Sequence, residues 1–282
     1  MEPKDHLFTI WLTKKDWDAM PFLEEICIAS AQVVNNKPVT IYTNHELHLS
    51  FLDRTITKVE KIPQELLDHV AEITDNLAHQ SDYLRLWYLN KFGGIYFDTD
   101  ILFWKPFTEL WDTMVREGYS VLYPREDKNM ICNCMIMCSD PVEADRFFSD
   151  MLCNYDDRYI GHSYLFNSQK YMNLMMRRYP KELCIYWLPS LFEGKWNDYD
   201  SIKDFQDMKT SGIGQHLYWS IKELWGNVRL QMDAHVYDVE PTLEIHKYTK
   251  SVIDKYIQLM KEADNNGKWF YMDGCFRHWT KD

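Results

Sequence analysis

One stretch of about thirty residues, His79 to Phe107, constrains the fold most strongly. Its apolar residues recur at three- and four-residue spacing, which predicts an amphipathic helix from about Asn76 to Lys91. Gly93 and Gly94 then end the helix, because glycine readily takes the left-handed conformation found after helices. The β-branched and aromatic residues of Ile95 to Phe97 predict a short strand. The stretch is therefore a helix, a glycine stop and a strand.

Two aspartates follow this strand. Successive side chains of an extended segment point to opposite faces, so Tyr96, Asp98 and Asp100 project together if the extended geometry persists. Two like charges this close repel each other unless a cation lies between them, and a hard divalent ion is the usual solution. Such an ion keeps coordination sites for substrate phosphates and water. The pair therefore predicts a Mn²⁺ or Mg²⁺ site that takes a nucleotide diphosphate.

Asp82 and Arg85 lie three residues apart on the predicted helix, and so on one face of it. Most such pairs on helix surfaces are solvated ion pairs. Close to the paired aspartates, however, an aspartate that accepts hydrogen bonds from hydroxyls and a guanidinium that donates to oxygens are candidates for ligand binding.

The stretch resembles the sugar-binding region with a DXD motif found in a large group of glycosyltransferases. This group includes the initiating mannosyltransferases of fungal glycans, capsular polysaccharide transferases and the glucosyltransferase domains of clostridial toxins. The residues that carry the resemblance are Ser81, Asp82, Arg85, Gly93, Gly94, Tyr96, Asp98 and Asp100. The resemblance implies a GT-A fold, an α/β fold with a mainly parallel central sheet and helices on both faces.

The resemblance also implies roles for particular residues. Asp98 and Asp100 are expected to bind the metal and, with Arg85, to be catalytic. The residues expected to bind the donor are Trp11, Asp82, Arg85, Tyr96, Asp98 and Asn133. Relatives stack a tryptophan like Trp11 on the nucleotide base, and they contact the hexose with an asparagine in the strand after the DXD motif. A buried core position for Trp11 and a structural amide for Asn133 are the alternatives.

The third metal ligand is expected from the end of the chain, because related transferases finish with a histidine and tryptophan segment that reaches the metal and diphosphate. His278-Trp279 matches part of that segment, although the trailing Ser-Trp is missing. If His278 is only a surface residue, the third ligand falls to His216, His246 or water.

The start of the chain predicts a strand, a helix and a strand, at Leu7 to Leu12, Pro21 to Asn35 and Val39 to Thr43. This alternation predicts a mainly parallel sheet with ligands at the carboxyl ends of its strands, where Trp11, Asn44 and Asp98 fall. Further strands are predicted at Tyr119 to Pro124, Met130 to Met137, Val236 to Val239 and Trp269 to Met272, and a helix at Ser251 to Ala263. We expect a single domain of residues 1–282, with a nucleotide-sugar half to about residue 140 and an acceptor-side half after it.

The net charge of −12 argues against nucleic acid or an anionic membrane surface as a partner. No apolar run is long enough to span a bilayer, so we expect a cytoplasmic enzyme of bacterial or viral type without an anchor. The seven cysteines are an odd number and indicate reduced thiols. Cys132, Cys134 and Cys138 lack the paired second half of a zinc motif, which favours buried strand thiols over a metal site.

These observations predict a metal-dependent glycosyltransferase, and the resemblance implies that it retains the anomeric configuration and acts in polysaccharide biosynthesis. The expected donor is a nucleotide-diphosphate sugar, with a UDP-sugar favoured and a GDP-sugar possible, and the acceptor is a saccharide or other hydroxyl. One alternative is a haloacid-dehalogenase-type phosphatase with Asp98 as its nucleophile. That motif normally follows the first strand of its domain, whereas Asp98 comes after a complete strand–helix–strand unit. The other alternative is a catalytically inactive sugar-binding relative.

Overall fold

The computed structural model of the chain describes residues 2–14, 18–54, 56–125, 132–155, 171–187, 192–193, 212–216, 244–263, 267–272 and 275–280. A 3₁₀ turn, Pro3–Asp5, precedes the first strand. The helices are α1 (Phe22–Asn35), α2 (Gln64–Ile73), α3 (Leu77–Phe92), α4 (Thr108–Arg116), α5 (Pro141–Cys153), α6 (Tyr171–Arg178) and α7 (Glu244–Ala263). The strands of the first half are β1 (Leu7–Trp11), β2 (Asp18–Ala19), β3 (Val39–Thr43), β4 (Leu47–His48), β5 (Thr57–Lys61), β6 (Gly94–Phe97), β7 (Ile101–Phe103) and β8 (Val121–Arg125). Those of the second half are β9 (Met135–Cys138), β10 (Leu183–Trp187), β11 (Phe192–Glu193), β12 (Gly214–His216), β13 (Gly267–Met272) and β14 (Cys275–Thr280).

A seven-stranded sheet forms the centre of the fold, in the order β10, β8, β9, β6, β1, β3, β5. Strand β9 runs antiparallel to both of its neighbours, while the other described pairs of this sheet are parallel. The described part of the chain also forms three smaller sheets: β11 with β12 and β7, β13 with β14, and β2 with β4.

Helices cover both faces of the central sheet, because successive strand residues point to opposite sides. Leu7 and Ile95 pack into a core cluster with α1, α4 and α7. Phe8 and Tyr96, each one residue further along, pack into a second cluster with α2, α3, α5 and α6. The predicted fold class, α/β with a mainly parallel sheet between two helical layers, is confirmed.

The carboxyl ends of β1, β3 and β6 meet at one edge of the sheet. Trp11 ends β1 opposite Thr43 of β3, and β6 pairs with the other side of β1. Just past these ends, the Asn44 side chain accepts a hydrogen bond from the Thr13 amide at 3.0 Å and donates one to the Thr13 carbonyl at 2.8 Å. The predicted grouping of Trp11, Asn44 and Asp98 at this edge is confirmed.

The described part of the second half differs from the prediction in several places, among them strands β10, β11 and β12, where no strand was predicted. Strand β9 begins at Met135 rather than near Met130, so Asn133 precedes the strand instead of lying within it. Helix α7 begins at Glu244 rather than Ser251. The chain ends in a hairpin of two strands, β13 and β14, where one strand was predicted. The predicted strand at 236–239 lies outside the described residues.

None of the described helices has both the length and the apolar character needed to cross a lipid bilayer.

Candidate active site

The junction between α3 and β6 sets the position of the site. Helix α3 begins at Leu77, where the Asn76 side chain caps it by accepting the Ala78 amide. Gly93 ends it with a φ of +63°, and its carbonyl oxygen lies 2.8 Å from Nδ1 of His6. Gly94 has a φ of +111°, and a Cβ atom there would lie 2.3 Å from the His6 carbonyl oxygen. Both the backbone conformation and the close approach of β1 therefore require glycine at 94.

Arg85 lies at the centre of a polar network on α3. Its side chain is only 7% exposed, and its Nη2 lies 2.9 Å from Oδ1 of Asp82. Its Nη1 donates to the Asn133 carbonyl at 2.7 Å and lies 3.3 Å from Oδ1 of Asp98. The guanidinium also lies 4.4 Å from the centre of the Tyr96 ring. The alternative of a solvated surface pair does not describe this arginine, which joins the helix to the aspartate turn.

Asn133 completes this network from the segment before β9. Its Nδ2 donates a hydrogen bond to Oδ1 of Asp82 at 2.9 Å. The structure thus brings together three predicted sugar-binding residues, Asp82, Arg85 and Asn133, from two distant parts of the sequence. Tyr96 adds a hydrogen bond from its hydroxyl to Oδ1 of Asp98 at 2.5 Å.

The aspartate turn carries a second group of polar side chains. Strand β7 follows Asp100 directly and pairs antiparallel with β12, which places His216 opposite Ile101. Nε2 of His216 lies 3.1 Å from Oδ1 of Asp100. One ligand atom from each of Asp98, Asp100 and His216 lies within 4.8 Å of the other two.

Gly214 allows this approach of β12 to β7. A Cβ atom at residue 214 would lie 2.7 Å from the Leu102 carbonyl oxygen, a distance that real Cβ contacts do not show. The glycine therefore lets β12 lie close enough to bring His216 to the aspartates.

The electrostatics of the turn favour a cation. Burial raises the pKa of Asp98, Arg85 lowers it, and the neighbouring Asp100 raises it again, to about 6. Burial also raises the pKa of Asp82, against the effects of Arg85 and Asn133. For His216, burial lowers the pKa, but the Asp100 carboxylate and Cys132 together raise it more, so it lies well above the usual value.

Two carboxylates and one imidazole are ligands that suit a divalent ion such as Mn²⁺ or Mg²⁺. The three side chains already lie within reach of a shared ion, and the two carboxylates repel each other without one. The residues present therefore fit a metal site formed by Asp98, Asp100 and His216.

The structure leaves two predicted roles open. His278 lies in β14, paired with Trp269 of β13, but its side chain is outside the described part of the chain, so its metal contact stays a prediction. The side chain of His246, a named substitute, is also outside the described part. Trp11 is half-buried and packs against the core cluster of α1, α4 and α7 while it ends β1 at the site's edge. Its base-stacking role also stays a prediction.

Residues 21–118, about a third of the chain, match the model of the glycosyltransferase sugar-binding region containing DXD motif. These residues are a glycosyltransferase sugar-binding region. They include Asp82, Arg85, Asp98 and Asp100, so the recognition of this region from the sequence is confirmed. The predicted enzyme class, a glycosyltransferase, is confirmed with it.

Solved glycosyltransferases resemble the chain distantly. Mouse xyloside xylosyltransferase 1 is 10% identical, with 76% of this chain and 97% of that chain covered and a TM-score of 0.43. The galactosyltransferase LgtC, solved with donor and acceptor sugar analogs, is 10% identical, with 88% and 95% covered and a TM-score of 0.46. GlyE of Streptococcus pneumoniae is 8% identical, with 93% and 64% covered and a TM-score of 0.48. No curated protein sequence matches the chain significantly.

Proposed function

We propose that the chain is a metal-dependent glycosyltransferase that moves a hexose from a nucleotide-diphosphate sugar to a hydroxyl acceptor, with retention at the anomeric carbon. One observation carries the proposal: the candidate metal-binding group of Asp98, Asp100 and His216 lies directly beside the hydrogen-bonding group that Arg85 joins. Asp82, Arg85, Asp98 and Asp100 all belong to the matched sugar-binding region. Asp98 belongs to both groups, because its Oδ1 faces Arg85 while its carboxylate lies beside Asp100 and His216.

Asp98, Asp100 and His216 would hold the metal ion, which would stabilise the negative charge that develops on the leaving diphosphate. Asp82 presents carboxylate oxygens to the hydroxyls of the hexose, and the Asn133 amide adds a donor and an acceptor. Arg85 fixes Asp82 and Asp98 relative to each other, so the sugar and the diphosphate are oriented by one guanidinium. Tyr96 supports that guanidinium with its ring.

The finer assignments follow the resemblance. We favour a UDP-sugar donor, with a GDP-sugar as the substitute, and Trp11 beneath its base. The acceptor is a saccharide or other hydroxyl that binds the half of the chain after about residue 140, and the natural process is polysaccharide synthesis. Asp82 is engaged by Arg85 and Asn133, and Asp98 by Arg85 and Tyr96. Neither is an unengaged nucleophile, which favours a direct same-face substitution over a covalent intermediate.

The test is a panel of UDP- and GDP-hexoses, with release of the nucleotide measured in Mn²⁺ and without acceptor. We expect release from at least one donor, loss of release with excess chelator, and recovery on adding Mn²⁺. Asp100→Asn should lower the rate by roughly a hundredfold or more, the scale of losing one charge-stabilising group. The matched control is Asp112→Asn on the exposed face of α4, which should keep the full rate. Full turnover in chelator would refute the metal dependence.

Two further results separate the alternatives. NMR of the released or transferred sugar reports its anomeric configuration, and inversion would refute the retaining mechanism. Metal-dependent donor binding without any turnover would indicate the inactive sugar-binding relative. Phosphate release from aryl phosphates, lost in Asp98→Asn and unaccompanied by nucleotide-sugar turnover, would indicate the phosphatase.

A further inference from the structure

We propose that Cys132, Cys134 and His216 form a second metal site, which takes a soft ion such as Zn²⁺ or Cd²⁺ and competes with the aspartates for His216. The two Sγ atoms and a ring nitrogen of His216 all lie within 4.8 Å of one another. The thiol metal site does not depend on the proposed function. Only its competition with the aspartates for His216 rests on the proposed function.

The chain holds the two thiols on one side of the segment before β9. Residues i and i+2 of an extended segment point to the same side, and the residue between them points to the other. Asn133 reaches Asp82 on α3, whereas Cys134 is buried, and Cys132 half-buried, in the opposite core cluster beside α1 and α7. The sequence Cys-Asn-Cys therefore serves two sites, with the amide in the sugar-binding network and the thiols directed away from it.

The backbone fixes these thiols in place. The Cys132 amide donates to the Pro124 carbonyl at 2.9 Å, and the Asp98 amide donates to the Cys134 carbonyl at 2.7 Å. Neither cysteine takes part in a disulfide bond within the described part of the chain. Sγ of Cys132 already lies within 4.8 Å of a ring nitrogen of His216. The ligands are thus assembled around an existing contact and need little rearrangement to bind an ion.

The donor types separate the two sites chemically. Thiolates with imidazole select zinc and other soft ions, whereas carboxylates with imidazole suit manganese and magnesium. Two cysteines and one histidine supply three of the four ligands of a tetrahedral zinc site, with the fourth position left for water or for Asp100. His216 is common to both groups, so an ion bound to the thiols draws away a ligand of the other site. Two divalent ions this close also repel each other.

Cobalt tests the site directly, because Co²⁺ bound by thiolates absorbs in the near ultraviolet by charge transfer. We expect this band in the wild type, saturating at one equivalent, and its loss in Cys132→Ser. The control is Cys153→Ser at the exposed end of α5, which should keep the band. Cys132 is chosen for substitution because it is half-buried, whereas Cys134 is fully buried and its replacement would disturb the core. No band in the wild type, or the same band in Cys132→Ser, would overturn the proposal.

The competition is tested by manganese affinity, measured by electron paramagnetic resonance with and without one equivalent of Zn²⁺. Zinc should weaken manganese binding by roughly 10- to 100-fold in the wild type and in Cys153→Ser, the scale on which metal sites respond to altered ligand support. It should have little effect in Cys132→Ser. An equal loss in Cys132→Ser would show that zinc enters the aspartate site itself, which would overturn the competition. The cobalt band is measured without a sugar donor. A negative result in this experiment is therefore distinguishable from a failure of the proposed transferase function.

Discussion

Replacing Arg85 with methionine tests the central network. Methionine keeps an unbranched apolar stem, but it removes the charge and the five N–H donors. Asp82, Asp98 and the Asn133 carbonyl then lose the partner that lies 2.7 to 3.3 Å from each of them. Since the Arg85 side chain is 7% exposed, water replaces it poorly.

Removing one partner of a buried ion pair costs about 3 to 5 kcal/mol, because the other charge is left uncompensated. The side chains of Asp82 and Asp98 are 21% and 25% exposed, so water reaches both carboxylates. We therefore expect a loss near the lower limit, about 3 kcal/mol in the free energy of unfolding at about pH 8.

The loss should shrink as the pH falls. The pKa of Asp98 is raised by burial to about 6 even with Arg85 present, and removing the guanidinium raises it further. The native variant then binds more protons than its unfolded chain, whose aspartates titrate near 3.9. Native-state protonation stabilises the fold, so stability relative to the wild type recovers as the pH falls through the raised pKa of Asp98 in the variant. The recovery ends at about pH 6, where Asp98 of the wild type also takes up its proton.

Urea unfolding followed by circular dichroism at about pH 8 and about pH 5.5 measures both effects. The matched control is Arg178→Met, which removes an exposed arginine 2.8 Å from Asp150 and should cost less than about 1 kcal/mol. A loss in Arg85→Met of less than about 1 kcal/mol at the higher pH, or one that is equal at both pH values, would refute the reasoning.

Four further predictions concern ligands. Trp11→Ala should weaken nucleotide binding by about 1 to 3 kcal/mol in calorimetry, and unchanged affinity in a folded variant would make Trp11 a core residue only. Manganese affinity should fall as the pH drops through about 6, because a protonated Asp98 cannot bind the ion, and a flat titration would contradict this. His216→Ala should weaken manganese binding, and unchanged affinity would remove His216 from the metal site. If His278→Ala weakens binding to the same extent, both histidines are ligands. Gly214→Ala should weaken it too, since the new Cβ pushes β12 away from Leu102; unchanged affinity would show that the strand tolerates the methyl group.

The predictions that succeeded rest on local chemistry. The helix ending at Gly93 and the strand after it follow from periodicity and from the conformational freedom of glycine, both of which can be read within twenty residues. The observed helix, Leu77–Phe92, differs from the predicted one by a single residue at each end. The strand–helix–strand start predicted the parallel sheet for the same reason, since the helical crossover places the two strands side by side.

The predictions that failed or stayed open depend on pairing between distant segments. Nothing local shows that β12 would lie against β7 and bring His216 to Asp100, so the sequence named His216 only as a substitute for His278. The close approach at Gly214 was the available signal, but a glycine shows its packing partner only in three dimensions. The late start of β9 has a similar cause, because an apolar run does not reveal where its hydrogen-bonded partner strand ends.

Under the proposed function, the charges of the site predict that metal is needed to bind the donor as well as to turn it over. Without metal, the raised pKa of His216 keeps it protonated near neutral pH, so three carboxylates, Arg85 and His216 leave one negative charge. That charge, in a chain with a net charge of −12, repels a diphosphate. A divalent ion that displaces the His216 proton brings the same group to neutrality. The repulsion then disappears before the donor arrives, and nucleotide affinity should rise with metal even in a variant that cannot catalyse transfer.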